Sequence, residues 1–258
     1  MTGPAVSAGQ EARRVIRVMG TVVSIHATQV EMPDRGVDST FDAVEQWLNW
    51  VDQTFSTYRA DSQISRLGQG ELNVEECHPD VAAVLHACAA VQTATDGYFA
   101  ARIAGRLDPS ALVKGWAAQR SSVMLRDAGL TNHTISAGGD VVCAGWRSAG
   151  EPWRVGVTDP HQPGRLLAII HVTDAAVATS GTAERGAHVV DPRTGRPARG
   201  LASVTVVGPD LGTADAYATA VLASGHQRPP WFDTLAGYEL LTVAADGHTD
   251  RTAGLRAR

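Results

Sequence analysis

Hydrophobic positions along this chain follow two rhythms, one after the other. From Val15 to Ala27 (VIRVMGTVVSIHA) β-branched residues fall in partial alternation around Gly20, which predicts a strand, a bulge and a second strand. Beyond Ser39, read as an N-cap, Phe41, Val44, Trp47, Leu48 and Val51 recur at helical spacing. A second helix opens at Asp80, runs through Val81, Val84, Leu85, Cys88 and Val91, and ends near Gly97. A polar loop from Phe55 to Glu71 separates the two, and Gly115 to Ala128 forms a third helix after the turn-rich Asp108-Pro109-Ser110. Strands then dominate at 134–136, 141–144, 153–157, 166–172, 176–179 and 204–207, with Gly and Pro between them. A helix over 213–223 carries Asp215 in its first turn, and 238–244 is a closing strand. The order is irregular rather than a repeating βαβ, so the expected class is α+β, mixed sheets with helices. Residues 1–14 read as a flexible tail and 15–258 as a single domain.

Composition narrows the field. With 44% hydrophobic and 19% charged residues the chain is an ordinary globular protein, and its formal charge of −5 provides no basic footprint for nucleic acid. The apolar stretches are too short or too interrupted to cross a bilayer. The first 14 residues lack the apolar core of a secretory leader, and Cys77, Cys88 and Cys143 are widely spaced. Together these imply a reduced, cytoplasmic protein with neither a disulfide framework nor a cysteine zinc site.

Five segments carry candidate chemistry. Ser136-Ala-Gly-Gly-Asp140 lies between two expected strands; paired glycines let backbone N–H groups approach a ligand, and equally they make a plain β-turn. The span ATSGTAERGAHVVDPRTGRP from Ala178 to Pro197 collects Ser180, Gly181, Glu184, Arg185, His188, Asp191, Arg193, Thr194 and Arg196. That density of anion-binding groups around a histidine favours an anionic ligand over a solvated hairpin. In Thr213-Ala-Asp-Ala-Tyr-Ala-Thr219, Asp215 and Thr219 share one helix face, a hard-oxygen pair suited to Mg²⁺, although a dipole-paired Asp and a back-bonded Thr give the same pattern. Lys114-Gly115 at a helix start sets an ammonium where a phosphate can bind, or is simply a surface lysine. Tyr58, in Phe55-Ser-Thr-Tyr-Arg-Ala-Asp-Ser62, either stacks on a flat ring or anchors the loop half-buried.

Taken in order, Met19-Gly20-Thr21, Phe55-Ser-Thr-Tyr58 with Asp61-Ser62, Lys114-Gly115, Gly138-Gly139-Asp140, Ser180-Gly181, His188-Val-Val-Asp-Pro192 with Thr194-Gly195, and Ala214-Asp-Ala-Tyr-Ala-Thr219 resemble the ApbE family of FAD:protein FMN transferases. The resemblance spans about Val15 to Val243. It implies an α+β fold of two lobes around a flavin-nucleotide cleft. It also implies Mg²⁺-dependent cleavage of FAD, attachment of FMN to a threonine or serine of an acceptor flavoprotein or FMN-binding domain, and release of AMP. Some family members instead hydrolyse FAD to FMN and AMP, and the same motifs would serve a non-catalytic FAD carrier.

Carried across position by position, Asp215 and Thr219 fall on metal-ligand positions, joined by the backbone carbonyl of Val113. Met19, Tyr58, Lys114, Gly138, Gly139, Asp140, Ser180, Gly181, His188 and Asp191 fall on positions lining the nucleotide site. His188 is the expected general base, Asp191 its orienting partner, and Lys114 a second positive contact to the pyrophosphate. The chain departs from the family pattern at Ala100, at Ser110-Ala111, at Leu112-Val113 and at Ser136.

Overall fold

The computed structural model describes residues 10–182 and 189–255. The chain begins with a long hairpin, β1 (Gln10–Val18) and β2 (Thr21–Val30), then passes into helices α1 (Asp34–Phe55), α2 (Gln63–Gln69) and α3 (Pro79–Ala94). The short pair β3 (Arg102–Ile103) and β4 (Arg106–Leu107) leads into helix α4 (Ser110–Asp127). After it come β5 (His133–Ala137), β6 (Asp140–Ala144), β7 (Trp153–Thr158), β8 (Leu166–Val172) and β9 (Ala175–Gly181). The small hairpin β10 (Val190–Asp191) and β11 (Arg196–Pro197) precedes β12 (Leu201–Gly208), helix α5 (Leu211–Ser224), β13 (Glu239–Ala244) and β14 (Thr249–Arg251).

Eight strands form one sheet in the order β1-β2-β5-β6-β9-β12-β13-β14, each pairing antiparallel to its neighbour. Side-chain alternation splits the sheet into two faces. Val142, Ala176, Ala178, Val204, Val206 and Leu240 face the helices and join Leu48, Val113, Ala117 and Val221 in the main core. Their neighbours Cys143, Val177 and Leu241 face the opposite way and pack with Trp153, Val157, Ile170 and Val172 of the β7–β8 hairpin. The result is α+β, as expected, in three layers: helices, sheet and hairpin.

Several boundaries differ from the sequence reading, each for a local reason. The first strand begins at Gln10, because residues expected in the tail pair with β2 and Arg14 forms ion pairs with Asp42 (3.0 Å) and Glu45 (3.4 Å) of α1. Gly20 is not in a bulge: Met19 and Gly20, both at positive φ (54° and 66°), are the two central residues of a tight hairpin turn. Helix α1 starts five residues before Ser39, whose hydroxyl donates to the Gly36 carbonyl inside the helix. The loop between α1 and α3 contains α2, capped by the Ser62 hydroxyl, which accepts from the Ser65 N–H. Helix α4 starts at Ser110 rather than Gly115, and the edge strand β14 had no apolar pattern to announce it. Among the described residues no helix is long and apolar enough to cross a membrane, and all three cysteines are free.

Candidate functional site

Two helices meet over the sheet through glycine. A Cβ placed on Gly115 of α4 would lie 2.5 Å from the Leu211 carbonyl oxygen and 2.8 Å from the Gly212 Cα of α5. One on Gly212 would lie 2.9 Å from the Trp116 nitrogen. Only hydrogen fits at either position, so the two backbones touch at this crossing. The approach is reinforced by the Gln119 side chain of α4, which accepts the Leu211 N–H at 3.0 Å and so satisfies an otherwise orphaned donor at the start of α5.

The crossing carries charge. Lys114, next to Gly115, reaches the carboxylate of Asp215 on α5 at 3.1 Å and is in direct contact with Asp140 at the start of β6. Asp140 is 1% exposed and Asp215 5%, while the lysine side chain keeps 23% of its surface. The second oxygen of Asp140 accepts the Thr179 backbone N–H at 2.8 Å, which fixes that carboxylate to β9. Helix α5 is capped by Asp210, whose side chain accepts from the Thr213 N–H and hydroxyl. Asp215 therefore stands in the second turn, not the first, and its partner is the lysine rather than the helix terminus. Lys114 likewise is the fifth residue of α4, away from the free N–H groups of that helix, and it is not a plain surface lysine.

Around this cluster the remaining expected residues fall into two groups. Thr219, one turn beyond Asp215, faces Ser180 of β9, with the two hydroxyl oxygens 3.3 Å apart. Gly138 and Gly139, at φ 57° and 95°, are the central residues of the β5–β6 hairpin turn. That turn lies beside the Met19-Gly20 turn at the same end of the sheet: the Gly138 N–H donates to the Val22 carbonyl at 3.3 Å. A Cβ on Gly138 would meet the Thr21 hydroxyl at 2.9 Å and the Lys114 stem at 3.7 Å. Gly181 closes β9, where a Cβ would lie 3.1 Å from the Ala202 carbonyl.

Tyr58 is 94% exposed, so it is not a loop anchor; the turn is held instead by Ser62, whose hydroxyl donates to the Ser56 carbonyl. Asp191 sits in the β10–β11 hairpin with both oxygens engaged, accepting the Arg193 N–H at 2.9 Å and the Thr194 hydroxyl at 3.1 Å. Val113 is buried inside α4, where its carbonyl belongs to the helical ladder. His188, Glu184 and Arg185 lie outside the described residues.

Sequence reasoning missed Thr205, which backs Thr179 through a 2.9 Å hydroxyl contact, and, although it singled out Gly115 beside Lys114, it missed Gly212 and the packing of the two glycines against each other. A glycine inside each of two helices was the available signal for the second.

The sequence profile of the ApbE family matches residues 19–105 and 100–239. The chain belongs to that family. A FAD:protein FMN transferase of Rhodobacter capsulatus is 30% identical over 224 residues, 83% of this chain and 40% of that protein. One from Salmonella typhimurium is 28% identical over 156 residues, 57% of this chain and 45% of that protein. The chain thus spans less than half the length of the curated ApbE relatives it matches. The ApbE protein of Thermotoga maritima superposes with a TM-score of 0.79 at 24% identity, over 95% of this chain and 97% of that one. The flavinyl transferase ApbE of Pseudomonas stutzeri, in its apo form, gives 0.80 at 20% identity, over 97% and 98%. At such identities the structural likeness establishes a common ApbE fold.

Proposed function

We propose that this chain is a cytoplasmic, Mg²⁺-dependent FAD:protein FMN transferase. Its partners would be FAD and an acceptor flavoprotein or FMN-binding domain that presents a threonine or serine hydroxyl. The observation that carries the reading is the Lys114, Asp140 and Asp215 cluster, buried beside the Ser180–Thr219 hydroxyl pair and beneath two hairpin turns of an ApbE fold. Mere storage of flavin needs no such concentration of buried charge, which is costly unless it is used or fully paired.

The donor chemistry fits a hard divalent cation. Asp215 and Thr219 offer a carboxylate and a hydroxyl from one face of α5, and Asp140 adds negative charge within reach of the same lysine. The Val113 carbonyl, engaged in its helix, would have only its second lone pair to give. When bound, Mg²⁺ would supply positive charge against the pyrophosphate oxygens and the developing AMP leaving group.

The chain's own residues would do the rest. Lys114 donates to a phosphate oxygen. The adjacent turns at 19–20 and 138–139 present backbone and the Met19 side chain as a wall for the nucleotide, and the exposed ring of Tyr58 is available for stacking on the flavin. His188, by its sequence position, takes the proton of the acceptor hydroxyl as that oxygen bonds to the FMN phosphorus and the anhydride bond to AMP breaks. Asp191, with both oxygens engaged in its turn, would hold the β10–β11 hairpin that follows His188 in the sequence.

The test is AMP release from FAD with Mg²⁺, with and without an acceptor domain carrying an exposed threonine. Acceptor-dependent release with flavin retained covalently on the acceptor is the expected result. Release that ignores the acceptor would make the chain an FAD pyrophosphatase, and tight binding without release would make it a carrier. Asp215→Ala should abolish metal-dependent turnover in a folded protein. His188→Ala should bind FAD while losing transfer by about 10² to 10⁴ in rate.

A further inference from the structure

Of the 22 lysine and arginine side chains in this sequence, 21 are arginine; the single lysine is Lys114. Arginine is the usual choice for a buried pair with carboxylates, because its planar fork binds them in two places, and this chain uses arginine everywhere else. At the one position between Asp140 and Asp215 it places instead a compact ammonium on a flexible stem. The two carboxylates are not equivalent. Asp140 is pinned to β9 by the Thr179 N–H, whereas Asp215 shares its helix face with Thr219 and its hydroxyl neighbour Ser180. The lysine stem runs past Gly138, where even an added Cβ would stand 3.7 Å from it, an ordinary contact.

We propose that Lys114 is an exchangeable internal counter-ion. In the metal-free protein its ammonium neutralises Asp215. On arrival of a divalent cation it yields that carboxylate and stays tethered to Asp140, from where it can donate to a phosphate. The idea rests on the metal reading given above. Its physical ground is that an ammonium 3.1 Å from the Asp215 oxygen and a divalent cation on the same carboxylate repel each other, so the two do not share it. A point charge on a four-carbon stem can move this way, and a guanidinium locked by two parallel hydrogen bonds cannot.

Because the chain has one ε-amine, its environment can be read directly in the intact protein. Acylation by an amine-reactive ester, followed by peptide mass spectrometry, gives the modification rate of Lys114 with and without saturating Mg²⁺. Mg²⁺ binding is measured in parallel by calorimetry on the parent and on Lys114→Met. The expected results are a severalfold faster acylation with Mg²⁺ and about tenfold tighter Mg²⁺ binding by Lys114→Met, within the usual range for coupling between two sites. The metal-free variant should also melt below the parent, with Mg²⁺ recovering the difference. Unchanged acylation of a parent shown to bind Mg²⁺, or weaker binding by Lys114→Met, would overturn the exchange and leave the metal assignment standing. No Mg²⁺ binding by the parent would overturn both. Should Lys114→Met fail to fold, the acylation rates of the parent still decide.

Discussion

Replacing Gly115 by alanine isolates the contact on which the site depends. In an exposed helix the change would stabilise by about 1 kcal/mol, since alanine is the better helix former. Here the new methyl would stand 2.5 Å from the Leu211 carbonyl oxygen and 2.8 Å from the Gly212 Cα, and ordinary contact begins near 3.4 Å. The α4–α5 crossing must therefore open by about 1 Å, and overpacking of this kind costs about 1–3 kcal/mol. The same displacement would stretch the Lys114–Asp215 contact from 3.1 Å towards the limit of an ion pair. With an effective dielectric constant of about 20, that stretch removes about 1 kcal/mol of attraction. The net expectation is a loss of about 1–3 kcal/mol, measured as a lower urea midpoint at unchanged slope. FAD turnover should fall along with it. A variant as stable as the parent, or more stable by the helix-propensity gain, would refute the claim that the two backbones are in contact here.

Two further predictions concern the scaffold. His133 is buried, its Nδ1 donating to the Leu130 carbonyl at 2.6 Å and its Nε2 meeting the Ser122 hydroxyl at 2.7 Å. Burial pushes its pKa down from 6.5 to about 4. Between those values the unfolded chain takes up a proton that the folded chain refuses, so stability falls as pH drops through this window. The loss reaches about 3 kcal/mol at its limit, and a His133→Gln variant should show a flatter urea-midpoint profile from pH 7 to 4; parallel profiles would exclude the histidine as the cause. Asp210→Ala removes the α5 cap and should cost about 1 kcal/mol in urea unfolding, and a smaller effect than a few tenths would mean that the Gln119 contact alone holds the helix start.

Much of the architecture is legible in the sequence because it rests on local periodicity. The alternation at 15–27 and the helical spacing from Phe41 to Val51 each state which face must be buried, and the structure buries those faces. Helix α1 was read late because its first turn, from Asp34, is mostly polar and leaves little apolar period to detect. Helix α4 was read late although Leu112 and Val113 in its first turn are buried, because Asp108-Pro109-Ser110 reads as a turn. The site was legible as a set of residue types in a fixed order, which is enough to identify the family and to nominate Lys114, Asp140, Ser180, Asp215 and Thr219.

Tertiary structure alone decided what those residues do to one another. Asp140 and Asp215 are 75 positions apart, and no spacing rule links them. They share one ammonium only because an antiparallel sheet brings β6 next to β9 and because two glycines let α4 and α5 touch. A sequence states directly what a residue needs from neighbours within a few positions. The distance between charges carried on separate elements is fixed by how closely backbones pack, and at this crossing that distance is set by the absence of two methyl groups.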